Sequence, residues 1–306
     1  MPENLGLVDL LYDDLSQDDW GSDGLLHASE LVDPLRHVML RMAGAPRKPK
    51  TIAELVVLET GKMWHKRIAQ TLYNKGLPFM NEVKITDGLP DGWGGQADYL
   101  VWDHTRRGFI LYDLKTTKAS GLQYIARDGA KKEHIWQTSG YWWALKRMGY
   151  PVLNRIGILY LPKDEDYSLE GGVEPILAVV KPLEEAQVLQ AMYERHEAVQ
   201  RYLGSVDAWS KTAGEEVLLT DELAPPMPRE QRLFKNKELW EVKLVPHWTA
   251  MFCPYDDELC DCGHNLTGDS KMTKIGHFAQ EGNAWIYKPR KGYEDFTPKV
   301  KPLVAA

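Results

Sequence analysis

Two apolar runs joined by a short turn carry charged side chains, and this pattern constrains the fold more than any other part of the sequence. Residues 94–117 read GGQADYLVWDHTRRGFILYDLKTT. Asp98 lies within the first run, and Asp113 and Lys115 lie near the end of the second. The two-residue period of a strand places Asp113 and Lys115 on the same face. The stretch therefore predicts two neighbouring strands that present carboxylates and an ammonium group.

The order of helical and strand patterns around this stretch indicates the fold class. Helices are predicted over residues 27–42, 51–76, 133–149 and 183–203. Strands are predicted over residues 81–86, 96–102, 108–117, 154–162 and 174–181. Mixed helices and strands in this order predict an α/β core built on a central sheet. After residue 205 the pattern loosens, and prolines interrupt it.

Charge and pattern divide the chain into four segments. Residues 1–33 contain no lysine or arginine, so residues 1–50 are predicted to form an acidic arm followed by a helix. The predicted core spans residues 51–204. A cysteine-bearing segment follows over residues 205–285, and residues 286–306 are predicted to form a basic, flexible tail.

The composition excludes several classes of protein. No run approaches the ~18 apolar residues of a membrane span, and the N-terminus lacks a secretory signal pattern, so no membrane partner is expected. Three cysteines do not suit a disulfide framework and indicate a reducing, cytoplasmic compartment. The net charge of -7 argues against indiscriminate coating of nucleic acid but allows a local basic cleft.

Three carboxylates lie on the three consecutive predicted strands, namely Glu82, Asp98 and Asp113. Carboxylates that converge repel each other, so they persist best around a hard divalent cation. Lys115 on the same face can hold a water molecule and offset charge that develops on a phosphate. These residues predict metal-assisted phosphodiester hydrolysis. The alternative is a surface hairpin with a salt bridge between Asp113 and Lys115.

Two further patterns flank the carboxylates. His65 lies on the helix before the first strand, where its imidazole can join a metal site. Gln137 and Tyr141 are four residues apart, which places them on one face of the helix that follows Lys115.

Together, these motifs resemble the RecB-type branch of the PD-(D/E)XK nuclease superfamily. The matching series is Gly61 to His65, Gly95 to Asp98, Asp113-Leu114-Lys115, and Gln137 to Tyr141. The chain is most similar to CRISPR-associated and phage-encoded RecB-like exonucleases. The resemblance implies a restriction-endonuclease-like central mixed sheet flanked by helices. It also implies a location in the host cytoplasm if the chain is phage-encoded.

The resemblance implies a ligand set for a catalytic Mg²⁺ or Mn²⁺ ion. Asp98 and Asp113 would bind the ion through their carboxylates, and Leu114 through its main-chain carbonyl. His65 would complete the set. Glu82 matches a position that assists with a second metal in some relatives.

Roles in catalysis follow from the same resemblance. Lys115 would position the attacking water and stabilise the transition state, and Gln137 and Tyr141 would orient the lysine or the DNA. The implied function is a metal-dependent exonuclease that acts on DNA ends or single strands in recombination, replication or repair, with a recombination or replication protein as partner. The alternatives are a structure-specific endonuclease and a nuclease-dead protein that binds DNA ends. The oligomeric state is not predicted.

The cysteines form a separate motif. In the nucleases that the chain resembles, four cysteines hold a [4Fe–4S] cluster that clips the C-terminal segment to the N-terminal helix. Here Cys253, Cys260 and Cys262 are present, and Asp33 stands near the place of one of the four. Three alternatives stay open: a cluster with a substitute ligand such as Asp33, a Zn²⁺ site that adds His264, or no metal.

Two groups of residues have both a structural and a DNA-binding interpretation. The first group can either pack a helix or stack on DNA bases, and consists of the tryptophans Trp136, Trp142 and Trp143. The second group can either line a path for DNA or lie in a solvated loop, and consists of the basic residues Lys118, Arg127, Lys131 and Lys132. Phosphate contacts by the basic group would make binding steeply salt-dependent.

Overall fold

A computed structural model gives the fold of most of the chain. It describes residues 6–16, 23–45, 47–164, 174–205, 229–236, 239–246, 273–281, 284–292, 294–295 and 298. The chain divides into two compact units. The first comprises Met1–Asp33 and Pro49–Gln200, and the second comprises Pro34–Lys48 and Arg201–Ala306.

A six-stranded mixed sheet forms the centre of the first unit. Its strands are β1 (Leu26–His27), β2 (Phe79–Ile85), β3 (Trp93–Asp103), β4 (Gly108–Thr117), β5 (Val152–Pro162) and β6 (Ile176–Val180). The order is β1-β3-β4-β5-β6, and β2 also pairs with β3. Strands β2, β3 and β4 are antiparallel neighbours, whereas β4 and β5 are parallel. The mixed sheet predicted from the sequence is confirmed.

The helices in the described part of the chain include one short 3-10 helix, Ala28–Leu31. The α-helices are α1 (Leu7–Ser16), α2 (Leu35–Met42), α3 (Ile52–Asn74), α4 (Ala119–Asp128), α5 (Lys132–Arg147) and α6 (Glu185–Ser205). Helix α3 begins at a capping box in which the Thr51 hydroxyl accepts from the Glu54 N–H and the Glu54 carboxylate accepts from the Thr51 N–H. None of the described helices is both long and apolar enough to cross a membrane.

Helices cover both faces of the sheet. On one face, Leu114 of β4 lies in a cluster with Ile68 of α3. On the other face, Ile158 of β5 lies in a cluster with Leu122 of α4 and Ile135 of α5. Because successive residues of a strand point to opposite faces, Asp113 and Lys115 point away from Leu114 and share the face of Ile158. The charged residues therefore lie under α4 and α5.

The second unit differs from its sequence prediction. Four antiparallel strands form a sheet in the order β10-β9-β8-β7. They are β7 (Arg229–Asn236), β8 (Leu239–Pro246), β9 (Thr273–Glu281) and β10 (Ala284–Pro289). No strand is predicted here from the sequence, although Trp240, Val242 and Leu244 alternate with Glu241 and Lys243 in β8. Strand β10 also includes the start of the tail that was predicted to be flexible from residue 286.

Two helix predictions also needed correction. The helix predicted over residues 27–42 is interrupted at Pro34, so a 3-10 helix precedes α2. No helix is predicted from the sequence directly after Lys115, but this segment contains α4. The Asp164 carboxylate accepts a hydrogen bond of 2.6 Å from the Ala119 N–H at the start of α4. A helix start held by a residue so distant in sequence has no local signal.

The sheet predicts a clear contrast in stability between two leucines. Leu111 on the central strand β4 has no exposed surface, whereas Leu177 on the edge strand β6 is 49% exposed. Leu111→Ala is expected to lower the free energy of unfolding by about 2–5 kcal/mol, because it leaves a cavity in the core. Leu177→Ala should lower it by less than about 1 kcal/mol. Urea unfolding measures both, and equal losses would contradict this arrangement of the sheet.

Candidate active site

Asp113 and Lys115 form a partly buried ion pair on the face of the sheet that α4 and α5 cover. Lys115 Nζ donates a hydrogen bond of 3.1 Å to Asp113 Oδ1 and lies 3.0 Å from Oδ2. The second contact lacks hydrogen-bond geometry, so Oδ2 is a buried atom without a hydrogen-bond partner among the described residues. The Asp113 side chain is 4% exposed and that of Lys115 is 23% exposed. The salt bridge expected for a surface hairpin is present, but its carboxylate is buried.

Asp98 lies across the β3–β4 register from Asp113. The pairing of Tyr99 with Tyr112 continues in sequence to place the two aspartates opposite each other. Asp98 Oδ2 accepts a hydrogen bond of 2.7 Å from the Leu114 main-chain N–H. The structure thus brings Leu114 to Asp98 through its N–H, whereas the sequence prediction concerned its carbonyl.

Burial dominates the electrostatics of the two carboxylates. It raises the pKa of Asp113 and that of Asp98 above the ordinary carboxyl value. The positive charge of Lys115 opposes this rise in both residues, whereas the charge of Asp98 adds to the rise in Asp113 and the charge of Glu82 adds to the rise in Asp98. One buried and one partly buried carboxylate that share a single ammonium therefore carry uncompensated negative charge when both are ionised. Such a pair attracts a further cation.

His65 of α3 lies at the edge of this pair. Its Nε2 is 3.9 Å from Asp98 Oδ2, and its main-chain carbonyl accepts a hydrogen bond of 2.6 Å from the Tyr99 hydroxyl. The ring stacks on Tyr99 with the centroids 5.9 Å apart. Burial and the charge of Lys115 lower the pKa of His65, which favours the neutral imidazole that a metal ion requires.

Glu82 lies near Asp98 but is more exposed than Asp98. The pairs that flank it, Asn81–Tyr99 and Val83–Ala97, place it opposite Asp98 in the register. Its φ of 52° is in the left-handed region, which a glutamate rarely adopts, and its side chain is exposed. Its charge contributes to raising the pKa of Asp98. Glu82 is thus an outer carboxylate of the cluster.

Gln137 and Tyr141 lie on α5 as predicted, one turn apart. Tyr141 is buried, and its hydroxyl accepts a hydrogen bond from the main chain of Gln96. A Cβ atom at Gly95 would come within 2.6 Å of the Tyr141 ring, so only glycine allows this close approach. Burial and the charges of Asp113 and Asp98 raise the pKa of the hydroxyl. Tyr141 therefore anchors α5 to β3 beside the two aspartates, and Gln137 is half-buried one turn earlier.

The donor atoms suit a hard divalent cation, but they are not gathered around a ready-made site. Among the residues that the structure describes, no three His, Cys, Asp or Glu side chains are placed together to hold a metal. The unpartnered Oδ2 of Asp113, the carboxylate of Asp98 and the imidazole of His65 are nevertheless the donor types that Mg²⁺ and Mn²⁺ accept. In this arrangement the ammonium of Lys115 contacts both oxygens of the Asp113 carboxylate.

A surface groove of about 400 Å³ borders these residues. His65, Glu82 and Tyr99 line it, together with the amide side chains of Gln70 and Asn81. Ligand pockets in proteins typically measure about 300–1,000 Å³, so this groove has room for one nucleotide-sized group. Of the candidate metal ligands, His65 and Glu82 are therefore reachable from this groove.

Two tryptophans of this region are hydrogen-bonded within the fold, whereas its basic side chains are exposed. The Trp142 indole donates to the Leu153 carbonyl at 2.7 Å, and the Trp143 indole donates to the Leu183 carbonyl at 2.8 Å. The packing interpretation is confirmed for these two. The basic side chains are exposed along and after α4: Lys118, Arg127, Lys131 and Lys132. Their contact with DNA stays a prediction.

Sequence reasoning missed one hydrogen-bonded pair beside Lys115. His134 of α5 lies 2.8 Å from the Tyr160 hydroxyl through its Nδ1. Tyr160 of β5 is the register partner of Lys115. The spacing of His134, three residues before Gln137, places it on the same helix face and is a signal that the sequence contained.

Only part of the cysteine motif lies within the described residues. Cys253, Cys260, Cys262 and His264 lie outside the described residues. Asp33 is described, and its main-chain carbonyl accepts hydrogen bonds from the Arg195 guanidinium. The three alternatives for this motif therefore stay open.

Comparisons with known proteins give few matches. No protein-family model and no curated protein matches the chain. The solved structure of a protein named SSO0001 is similar at 14% identity and a TM-score of 0.40, over 63% of this chain and 86% of that one.

Two structures of LHK-Exo, an alkaline exonuclease from Laribacter hongkongensis, are also similar. The structure in complex with dAMP matches at 15% identity and a TM-score of 0.39, over 58% of this chain and 91% of that one. The other matches at 13% identity and a TM-score of 0.39, over 63% and 95%. Likenesses of this size support no conclusion about what this chain does.

Binding of a divalent cation at the two aspartates is expected to stabilise the fold. At a free Mn²⁺ concentration ten times the dissociation constant, the gain is about 1.4 kcal/mol, measured as a rise in the thermal midpoint. Asp113→Asn should abolish most of this rise, because it removes the charge of the buried ligand. Asp128→Asn is the matched control, since Asp128 is an exposed aspartate of α4 paired with Arg127. An equal rise in the Asp113→Asn variant would contradict the site.

Proposed function

We propose that this chain is a divalent-metal-dependent deoxyribonuclease that hydrolyses phosphodiester bonds at DNA ends or in single strands. The observation that carries the proposal is the buried Asp113 beside the partly buried Asp98, with Lys115 against Asp113. Burying two carboxylates opposes folding unless they are paired, so such a cluster is characteristic of a functional site. The resemblance of the motifs to RecB-type nucleases supports phosphodiester hydrolysis as the reaction at this cluster.

Two aspartates and a histidine would hold the cation. Asp113 Oδ2 lacks a hydrogen-bond partner among the described residues, and Asp98 and His65 lie beside it. When bound, a Mg²⁺ or Mn²⁺ ion supplies Lewis-acid stabilisation of the phosphate charge and lowers the pKa of water. The side chain of His65 contributes as a neutral imidazole, because its pKa is lowered.

Lys115 would act on the phosphate and on the water. Its ammonium is held by Asp113 on the same face of β4, so it is already positioned where the carboxylates converge. A water oxygen attacks phosphorus in line, its proton passes to solvent, and the ester P–O bond opposite it breaks. The ammonium donates to a non-bridging phosphate oxygen and to the water, and thereby stabilises the charge that grows in the transition state. The departing alkoxide takes a proton from solvent.

Tyr141 and Gln137 would set the position of α5 over this centre. Tyr141 anchors the helix to the main chain of Gln96, close to Asp98. Gln137 is one turn away, half-buried, with an amide that can contact either Lys115 or a DNA phosphate. A role in recombination, replication or repair, with a partner protein of those pathways, follows from the resemblance alone.

A nuclease assay on end-labelled single-stranded and double-stranded DNA tests the proposal. In Mg²⁺ or Mn²⁺ the labelled strand should shorten from one end, and EDTA should stop the reaction. Lys115→Ala is expected to reduce the rate by roughly 10²-fold or more, since an electrostatic donor to the transition state is lost. Lys75→Ala, an exposed lysine after α3, is the matched control and should retain the rate.

Three other results would change the proposal. Internal cuts at branched sites without shortening from an end would favour the structure-specific endonuclease. DNA that stays intact with every metal while binding is retained would favour a nuclease-dead protein that binds DNA ends. Full activity of Lys115→Ala would contradict the role of the lysine.

A further inference from the structure

His134 lies on the helix face that covers the candidate active site. It precedes Gln137 by three residues and Tyr141 by seven, a spacing that places all three on one face of α5. Tyr141 lies close enough to Asp113 and Asp98 for their charges to raise the pKa of its hydroxyl. His134 is two turns earlier, about 10 Å along the helix axis. This face of α5 therefore extends from the carboxylates to a point beyond them.

Tyr160 holds the ring of His134. Because Tyr160 and Lys115 are register partners on the parallel strands β5 and β4, their side chains lie next to each other on one face. The Tyr160 hydroxyl accepts a hydrogen bond of 3.0 Å from the Lys131 main-chain N–H. His134 Nδ1 is 2.8 Å from the same hydroxyl. A chain of contacts thus joins Lys115 to His134 through Tyr160.

The hydrogen bonds at Tyr160 determine which nitrogen of His134 carries the proton. The hydroxyl proton of Tyr160 has no other acceptor among the described residues, so the hydroxyl donates to Nδ1. Burial lowers the pKa of His134 to about 3, and the charges of Lys115 and Lys131 act in the same direction. The ring is therefore neutral, and its one proton is on Nε2.

The Nε2–H group of His134 is a hydrogen-bond donor that can bind a ligand. Within the described part of the chain, no residue accepts a hydrogen bond from it. The ring is only half-buried. The exposed Lys131 and Lys132 precede it in the chain, and the positive charges of Lys115 and Lys131 act on the ring, so an anion is drawn to this place. A directed N–H donor among point charges is the arrangement that fixes the position of a phosphate oxygen.

We propose that His134 Nε2–H donates a hydrogen bond to a non-bridging oxygen of the DNA phosphate next to the scissile one. The inference rests on the proposed function and deepens it, because it adds a substrate contact beyond the catalytic centre. Tyr160 is the positioning residue, since it fixes the ring and leaves the proton on Nε2. The contact sets the register of the strand over Lys115.

A scan with methylphosphonates tests this contact. Single-stranded DNA is prepared with one phosphate at a time replaced by an uncharged methylphosphonate, and binding to the full chain is measured by fluorescence anisotropy in EDTA. With the wild-type chain, replacement at the contacted phosphate should weaken binding about tenfold or more, as for a hydrogen bond to a charged group. In His134→Phe the same replacement should have a smaller effect, whereas replacements elsewhere should act equally in both proteins.

Two variants keep the test independent of folding. His134→Gln retains an N–H donor and is expected to recover part of the coupling to that one phosphate. His104→Phe changes an exposed histidine in the turn between β3 and β4, at the opposite end of these strands, and should behave as the wild type. A merely structural role for His134 would weaken binding at every position alike, and such uniform losses would overturn the proposal.

Failure of this contact and failure of the proposed function give different results. Metal-dependent cleavage by the wild-type chain with no phosphate coupled to His134 would overturn only the contact. Coupling to one phosphate in a chain that cuts no DNA would support the contact and overturn the nuclease. Absence of any DNA binding would overturn both.

Discussion

The structure depends on one costly interaction, the burial of Asp113 beside Asp98 with Lys115 as the nearest counter-charge. Asp113 is 4% exposed, and burial raises the pKa of both carboxylates, so their charged forms are disfavoured. An apolar residue at Asp113 would pack at less cost in the centre of this sheet. The ammonium of Lys115 offsets part of that cost, and a bound cation would offset more. This loss of stability therefore indicates a chemical requirement at this point of the sheet.

The fold concentrates these groups through strand register and helix placement. Antiparallel pairing of β3 with β4 brings Asp98 opposite Asp113, and parallel pairing of β4 with β5 brings Tyr160 beside Lys115. Helix α5 then covers the same face, anchored by Tyr141 through the glycine at residue 95. The result is a row of polar groups along one helix and two strands, with the carboxylates at one end and His134 at the other.

Local sequence patterns predicted the centre of this arrangement but not its surroundings. The two-residue period of β4 was sufficient to place Asp113 and Lys115 on one face, because a strand alternates irrespective of its neighbours. The hydrogen bond from the Leu114 N–H to Asp98 needs the β3–β4 register and could not be read from one strand. Helix α4, whose first N–H is bound by Asp164, depends on a partner distant in sequence. The pairing of His134 with Tyr160 has the same origin.

The central claim is that a divalent cation binds between Asp98 and Asp113. Anomalous diffraction from crystals soaked in Mn²⁺ measures this directly, because manganese scatters anomalously and the protein's carboxylate oxygens do not. We expect a single strong peak within about 2.2 Å of oxygens from both aspartates, the distance expected for oxygen ligands of such ions. We also expect that Lys115 Nζ no longer contacts both oxygens of Asp113. A peak elsewhere on the chain, with the Asp113–Lys115 ion pair intact, would contradict the account.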